Sequence, residues 1–139
     1  MASHPQNQRA PSPAPTQQDM DELLAFLPMF SQQGYDPLVS TANNVGCYPQ
    51  YNPDVGRFFT AAGGHRWTDY NYVPSAMKNA YDDDSFIATA NLEQIKSLIT
   101  YCVRAERFCD GAWKSMIASG RLQCILERLR AIRGESPAT

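Results

Sequence analysis

The sequence predicts an all-α fold: one small domain built as a bundle of about five to six helices, with a long irregular aromatic-rich loop and a disordered Pro/Gln-rich tail ahead of it. Three observations carry this reading. Apolar residues recur at helical spacing over 91–109 and again over 121–133. Residues that cap or open helices (Asp19, Asn52-Pro53, Pro74, Asn91) stand just ahead of the apolar runs. No stretch alternates apolar and polar residues for long enough to build a sheet, and Leu38-Val39 leaves room only for a short strand.

Residues 1–18 hold Pro5, Pro11, Pro13 and Pro15 among Gln, Ser and Ala, with no large apolar residue after Met1. Such a segment buries nothing that offsets its ordering entropy, so a tail is expected. Asp19 is expected to cap a helix over 19–29 that turns Leu23, Leu24, Phe26 and Leu27 inward, with Asp21 and Glu22 in the first turn where the dipole favours anions. Pro28 should kink or end it. Gly34, Pro37, Gly46 and Pro49 mark the stretch from Ser31 to Tyr51 as loop. A helix over 53–62 follows, with Val55, Phe58 and Phe59 inward and Gly63-Gly64 as its stop. His65 to Tyr72 is aromatic and irregular. Pro74 opens a helix over 74–81, Asp82-Asp83-Asp84 interrupts it, and Asp84 or Ser85 caps a brief turn at Phe86-Ile87.

The strongest element is 91–109. Asn91 and Gln94 have the spacing of a capping box. Leu92, Ile95, Leu98, Ile99, Cys102, Val103 and Cys109 share one face, and Glu93, Lys96, Thr100, Arg104 and Arg107 the other. Gly111 breaks the run, and a helix over 111–118 carries Trp113, Met116 and Ile117. Ser119-Gly120 turns the chain into a last helix over 121–133, striped by Leu122, Ile125, Leu126 and Leu129. A single helical domain over 19–134 is the expected organisation, with residues 135–139 flexible.

Composition narrows the class. The chain has 139 residues, 19% charged and 43% apolar, with a net charge of -2. These are ordinary globular values and fit neither wholesale disorder nor a coiled-coil rod. No apolar run approaches the ~18 residues of a membrane span, and MASHPQNQRAPSPAP lacks the apolar core of a secretory signal. A pI near 5.6 argues against a constitutive nucleic-acid coat. A cytoplasmic protein is expected. Cys47, Cys102, Cys109 and Cys124 lack both a secretory context for disulfides and close pairs for zinc, so they read as free thiols. No metal and no cofactor is expected.

Few residues carry a chemical signal. On the helical wheel Glu106 falls in the middle of the apolar face, between Ile99 and Cys102. A carboxylate there is expected to be largely buried and to accept from backbone N–H groups at the Asp110–Trp113 corner, with Arg121 as an alternative partner. Glu106, Arg121 and Asp110 are therefore the candidate structural polar residues. His65 and Asp69 could form a general-base pair, but no second group converges on them. Asp82-Asp83-Asp84 lacks the alternation, mid-loop Gly and distal Glu of a calcium loop and reads as a solvated helix cap. The charge is polarised: Asn91 to Gly134 has eight basic and four acidic residues, whereas residues 1–90 have four basic and nine acidic. Together with the short helix, Gly turn and longer helix, this suggests a helix-turn-helix. Gln123, Cys124 and Glu127 near the start of the would-be recognition helix suit that role poorly.

The stretch Asn91 to Gly111, ending in Arg104-Ala105-Glu106-Arg107-Phe108-Cys109-Asp110-Gly111, resembles the hallmark of an uncharacterised bacterial domain family with an R-x-[ED]-R-F-[CV]-[ED]-G motif. Ser119-Gly120-Arg121-Leu122 followed by Ile125-Leu126 and Arg128-Leu129 is similar to its ending; Trp67–Tyr72 and Leu23–Phe30 match more loosely. The resemblance implies no assigned activity and no catalytic residue. It does imply carriage on plasmids or other mobile elements, and with it inhibitors of host defence complexes of the anti-CRISPR or anti-restriction type.

The expected function is non-enzymatic docking on a protein partner, such as a host CRISPR or restriction complex, with the charge polarity orienting the encounter. Tyr48, Tyr51, Arg66, Tyr70, Tyr72, Arg128 and Arg130 are the candidate anchors, since interfaces favour Tyr and Arg. The rivals are a small DNA-binding regulator using the 121–133 helix and a small enzyme using His65 or Glu106.

Overall fold

The caps and prolines of the sequence start helices along the chain of the computed structural model, which describes residues 12–39 and 50–135. These residues form α1 (Gln17–Leu24), α2 (Leu27–Phe30), α3 (Pro53–Ala62), a 3-10 turn (His65–Trp67), α4 (Pro74–Tyr81), α5 (Asp84–Thr89), α6 (Leu92–Ala105), α7 (Ala112–Ala118) and α8 (Arg121–Glu135). Among the described residues the only extended pairing is one antiparallel bridge, Leu38 to Tyr51. The fold is all-α.

α8 is the central helix, packed against α1, α2, α5, α6 and α7. Its Leu122, Ile125, Leu126 and Leu129 are buried with Ile95, Leu98, Ile99 and Cys102 of α6. α6 in turn packs against α3, α4, α7 and the 3-10 turn. Phe30 and Phe58 meet edge-to-face at 5.1 Å and close the end of the core beneath α1 and α2.

The helix expected over 19–29 divides in two. Thr16, rather than Asp19, caps α1: its hydroxyl accepts from the Asp19 amide, and the Asp19 carboxylate accepts from the Thr16 amide. Pro28 falls in the first turn of α2, where a missing N–H costs nothing, so it helps to start a helix rather than to end one. The turn expected at Phe86-Ile87 is a full helix, α5. Its cap is Asp83, whose carboxylate accepts from the Ser85 and Phe86 amides. These two changes raise the helix count above the expected five to six.

Part of the expected tail is packed. Within the described residues, 12–16 lie as an extended strap over α6 and the 3-10 turn: the Ser12 hydroxyl donates to Thr68 O at 2.7 Å, and Pro15 is buried. The strap explains why α6 is buried on two sides. Lys96 and Thr100, expected on its solvent face, are instead covered. The Thr100 hydroxyl donates to Trp67 O at 3.1 Å and accepts from the Asp69 amide at 2.8 Å, which holds the 65–69 segment on the helix. α6 also stops four residues earlier than expected, at Ala105. Cys109 therefore leaves the apolar face and is exposed.

Candidate functional site

The end of α6 is a corner built by one carboxylate. Glu106 is the C-cap of α6, and the amides of Arg107, Phe108 and Cys109 fold back onto the carbonyls of Arg104 and Ala105. Gly111 reverses the chain at φ +88°, a conformation costly for any residue with a Cβ. The Gly111 amide donates to Glu106 Oε2 at 2.8 Å, and the Trp113 amide donates to Oε1 at 3.0 Å. These are two of the amides that the N-terminus of α7 would otherwise leave unpaired.

A third donor comes from far away in sequence. The Tyr51 hydroxyl donates to Glu106 Oε1 at 2.8 Å and accepts from the Lys114 amide at 3.2 Å. Tyr51 is set by the bridge to Leu38, where the Asn52 amide donates to Pro37 O at 2.8 Å and the Val39 amide to Gln50 O at 2.7 Å. Trp113 completes the corner. Its ring stacks on Phe59 of α3 at 4.0 Å and 5°, and its Nε1 donates to Cys102 O at 3.0 Å. Glu106, Tyr51 and Trp113 are thus tied to one another and to α3 and α6.

What the corner presents outward is Phe108, 84% exposed, beside Arg107, which has no ion pair among the described residues. A cleft of about 520 Å³ adjoins it between α3 and α6, floored by Phe59, Val103 and Trp113 and edged by Thr60, Glu106 and Arg107. Both oxygens of Glu106 accept from the protein, from two backbone amides and the Tyr51 hydroxyl, which is the geometry of a clamp on the turn. The arrangement can offer an aromatic ring and a guanidinium from a fixed base.

Glu106 is half-buried rather than largely buried. Arg121 is not its partner: the guanidinium pairs with Asp84 and lies 6.0 Å from the Tyr81 ring. Asp110 is exposed at the corner. The expected anchors that the structure describes each have a partner within the fold. Tyr48 lies outside the described residues. Tyr51 serves the corner, Tyr70 OH lies 2.9 Å from His65 Nδ1, and Tyr72 lies under the Arg104 guanidinium at 5.0 Å. Arg66 donates to Ala14 O, Arg128 to Ala90 O, and Arg130 pairs with Glu127. His65 and Asp69 are not brought together: the Asp69 carboxylate instead accepts from Ser97 Oγ at 2.6 Å and from the Asn71 amide at 2.9 Å. Gln123, at the start of the would-be recognition helix, is tucked inward and donates to Phe30 O and Ile117 O.

Sequence reasoning missed Phe108 and Lys96. The signal for Phe108 was the break at Gly111 and the odd placement of Glu106, which together put the end of α6 before Phe108 rather than after it.

Burial pushes the Cys102 thiol up to about 12. It also raises the phenols of Tyr35, Tyr51, Tyr81 and Tyr101, Tyr51 further through its bond to Glu106. Each is an acid whose neutral form the fold prefers. The unfolded chain therefore releases these protons first, near the ordinary values of 9.0 and 10.0. Stability should be unaffected by these groups below pH 9 and fall as the pH rises beyond it. The matching chemical result is that iodoacetamide at pH 8 alkylates Cys109 and Cys124 in the native protein and spares Cys102. Peptide mapping that finds Cys102 alkylated without unfolding would contradict the placement of that thiol.

The fold and the corner define an all-α domain organised around a carboxylate-pinned turn. Its family follows from sequence comparison: a model described as a family of unknown function, DUF6508, matches residues 15–135, and the chain belongs to that family. No match occurs among curated proteins or among solved structures. No helix among the described residues is long and apolar enough to cross a membrane.

Proposed function

We propose that the protein is a non-enzymatic binding factor that docks on a partner protein through the α6–α7 corner, with Phe108 as the anchor and Arg107 as its charged neighbour. The observation that carries this is a large aromatic left 84% exposed on a base that is hydrogen-bonded throughout. Exposing an aromatic ring sacrifices on the order of 2 kcal/mol of available burial, and a rigid mount reduces the ordering cost of binding. Aromatic and Arg anchors beside a pocket are the usual centre of such interfaces.

The α8 arginines speak for a protein rather than a DNA duplex as partner. Arg121, Arg130 and Arg133 pair with Asp84, Glu127 and Asp21, which lowers the net charge available to phosphates, and the Arg128 guanidinium donates to Ala90 O. As the finer reading we propose a bacterial host defence complex of the CRISPR or restriction type as the partner, and a mobile element as the carrier. That part rests on the resemblance of the Arg104–Gly111 motif.

The test is a paired capture from bacterial lysate with the wild type and Phe108→Ser. Phe108 is surface-exposed, so the substitution should leave the melting temperature within about 2 °C, consistent with a surface change of under ~0.5 kcal/mol. The same partner should be retained by the wild type and lost with the variant, and relief of phage targeting should be lost with it. Equal retention by both proteins, or a saturable duplex-DNA complex in place of a protein, would overturn the reading.

A further inference from the structure

We propose that the surface under residues 12–16 is a binding site for an extended acidic peptide segment of a partner protein, and that residues 12–16 are its resident competitor. The site is separate from the Phe108 corner and does not depend on it.

The starting point is a buried cation without an anion. Lys96 is 3% exposed, and its ammonium donates only to Ser12 O and Pro13 O, both at 3.2 Å, with no carboxylate partner among the described residues. The next carbonyl of the strap, Ala14 O, accepts from Arg66 Nη1 at 3.2 Å. Three consecutive backbone carbonyls are therefore read by two cationic side chains. The strap itself contributes no negative charge to them.

The local chemistry explains why this segment sits there and why it is replaceable. Pro13 and Pro15 have no N–H, so the strap is extended and offers mainly acceptors. Its Ser12 hydroxyl adds one donor contact, to Thr68 O. Neutral carbonyls only partly compensate a buried ammonium, whereas a carboxylate in the same place would make shorter and stronger charge-assisted bonds. No carboxylate among the described residues reaches Lys96: Asp69 accepts from Ser97 and Asn71, and Asp19 caps α1 and pairs with Arg66, its Oδ2 lying 3.7 Å from Nε.

The floor of the site has contacts of its own. Thr100 binds the 3-10 turn to α6 through Trp67 O and the Asp69 amide, and Trp67 is buried behind it. An incoming extended segment would meet Lys96 of α6 and Arg66 of the 3-10 turn. Its acidic side chains or backbone carbonyls could take the positions that the strap carbonyls now hold. A polynucleotide fits less well. It needs a row of cations along its backbone, and here only Lys96 and Arg66 read the strap.

The probe is fluorescein-labelled hexaglutamate, titrated with the full chain and followed by anisotropy. Saturable binding by the wild type is expected, with at least about tenfold weaker binding by Lys96→Met, since the variant keeps the stem and removes the charge. Pro15→Gly, which removes the buried ring of the strap, should bind about fivefold tighter because the competitor is held less firmly. Labelled hexalysine should not bind, and Phe108→Ser should bind hexaglutamate as the wild type does. If Lys96→Met does not fold, Arg66→Gln, altered at an exposed side chain, should still weaken binding about threefold. The proposal is overturned if neither the wild type nor Pro15→Gly binds hexaglutamate, if folded Lys96→Met or Arg66→Gln binds as the wild type does, or if a single-stranded oligonucleotide binds more tightly than hexaglutamate.

Discussion

Glu106→Leu is expected to lower the stability of the fold by about 3 kcal/mol, the cost of leaving charged-acceptor hydrogen bonds unmade at a half-buried site. Three donors lose their acceptor together: the Gly111 amide, the Trp113 amide and the Tyr51 hydroxyl. The first two are backbone groups at the start of α7, and leucine offers them nothing. Glu106→Gln keeps the shape and one carbonyl acceptor, so its cost should be about 1–2 kcal/mol. For a domain of this size the two variants should melt roughly 10 °C and 5 °C below the wild type. A catalytic Glu106 would give the opposite pattern, with Gln folding normally and activity lost. Equal melting temperatures for all three proteins would show that the clamp contributes nothing.

Leu126→Ala should be at least as damaging, at about 3–4 kcal/mol, because it leaves a cavity in the middle of the central helix. Leu126 is fully buried, and α8 touches five other helices, so few neighbours can relax into the space without disturbing another contact. Ala131→Ser, on an exposed part of the same helix, should change stability by less than ~0.5 kcal/mol. Chemical denaturation of the pair separates burial from helix propensity. Similar midpoints for both variants would mean that α8 is not the centre of the core.

The helices were legible where the deciding signals were local. Asn91 with Gln94, Asn52-Pro53 and the Leu122–Leu129 stripe each place an element within a few residues of where it forms. What stayed hidden depends on partners distant along the chain. Lys96 and Thr100 look like a solvent face by helical period, yet a strap at 12–16 and a turn at 65–67 cover them. No pattern confined to α6 could reveal that. The corner was partly readable. A carboxylate on an apolar stripe near a Gly break pointed to backbone donors, and these are the Gly111 and Trp113 amides. Its third donor, Tyr51, comes through a bridge between residues 38 and 51 that no helical wheel contains. Phe108 was hidden for a simpler reason: extending the period past Ala105 carried it onto a helix that had already ended.

Amide hydrogen exchange at Gly111 and Trp113 tests the central claim, that Glu106 holds this corner rigid. Gly111 caps α7 and Trp113 lies in its first turn, where amides have no intrahelical acceptor and exchange fast unless another group binds them. Bound to one carboxylate, they should exchange at least about a hundredfold more slowly, and Glu106→Gln should return at least one of them towards the free rate. Exchange at free-loop rates in the wild type, or protection that survives Glu106→Gln unchanged at both amides, would contradict the account.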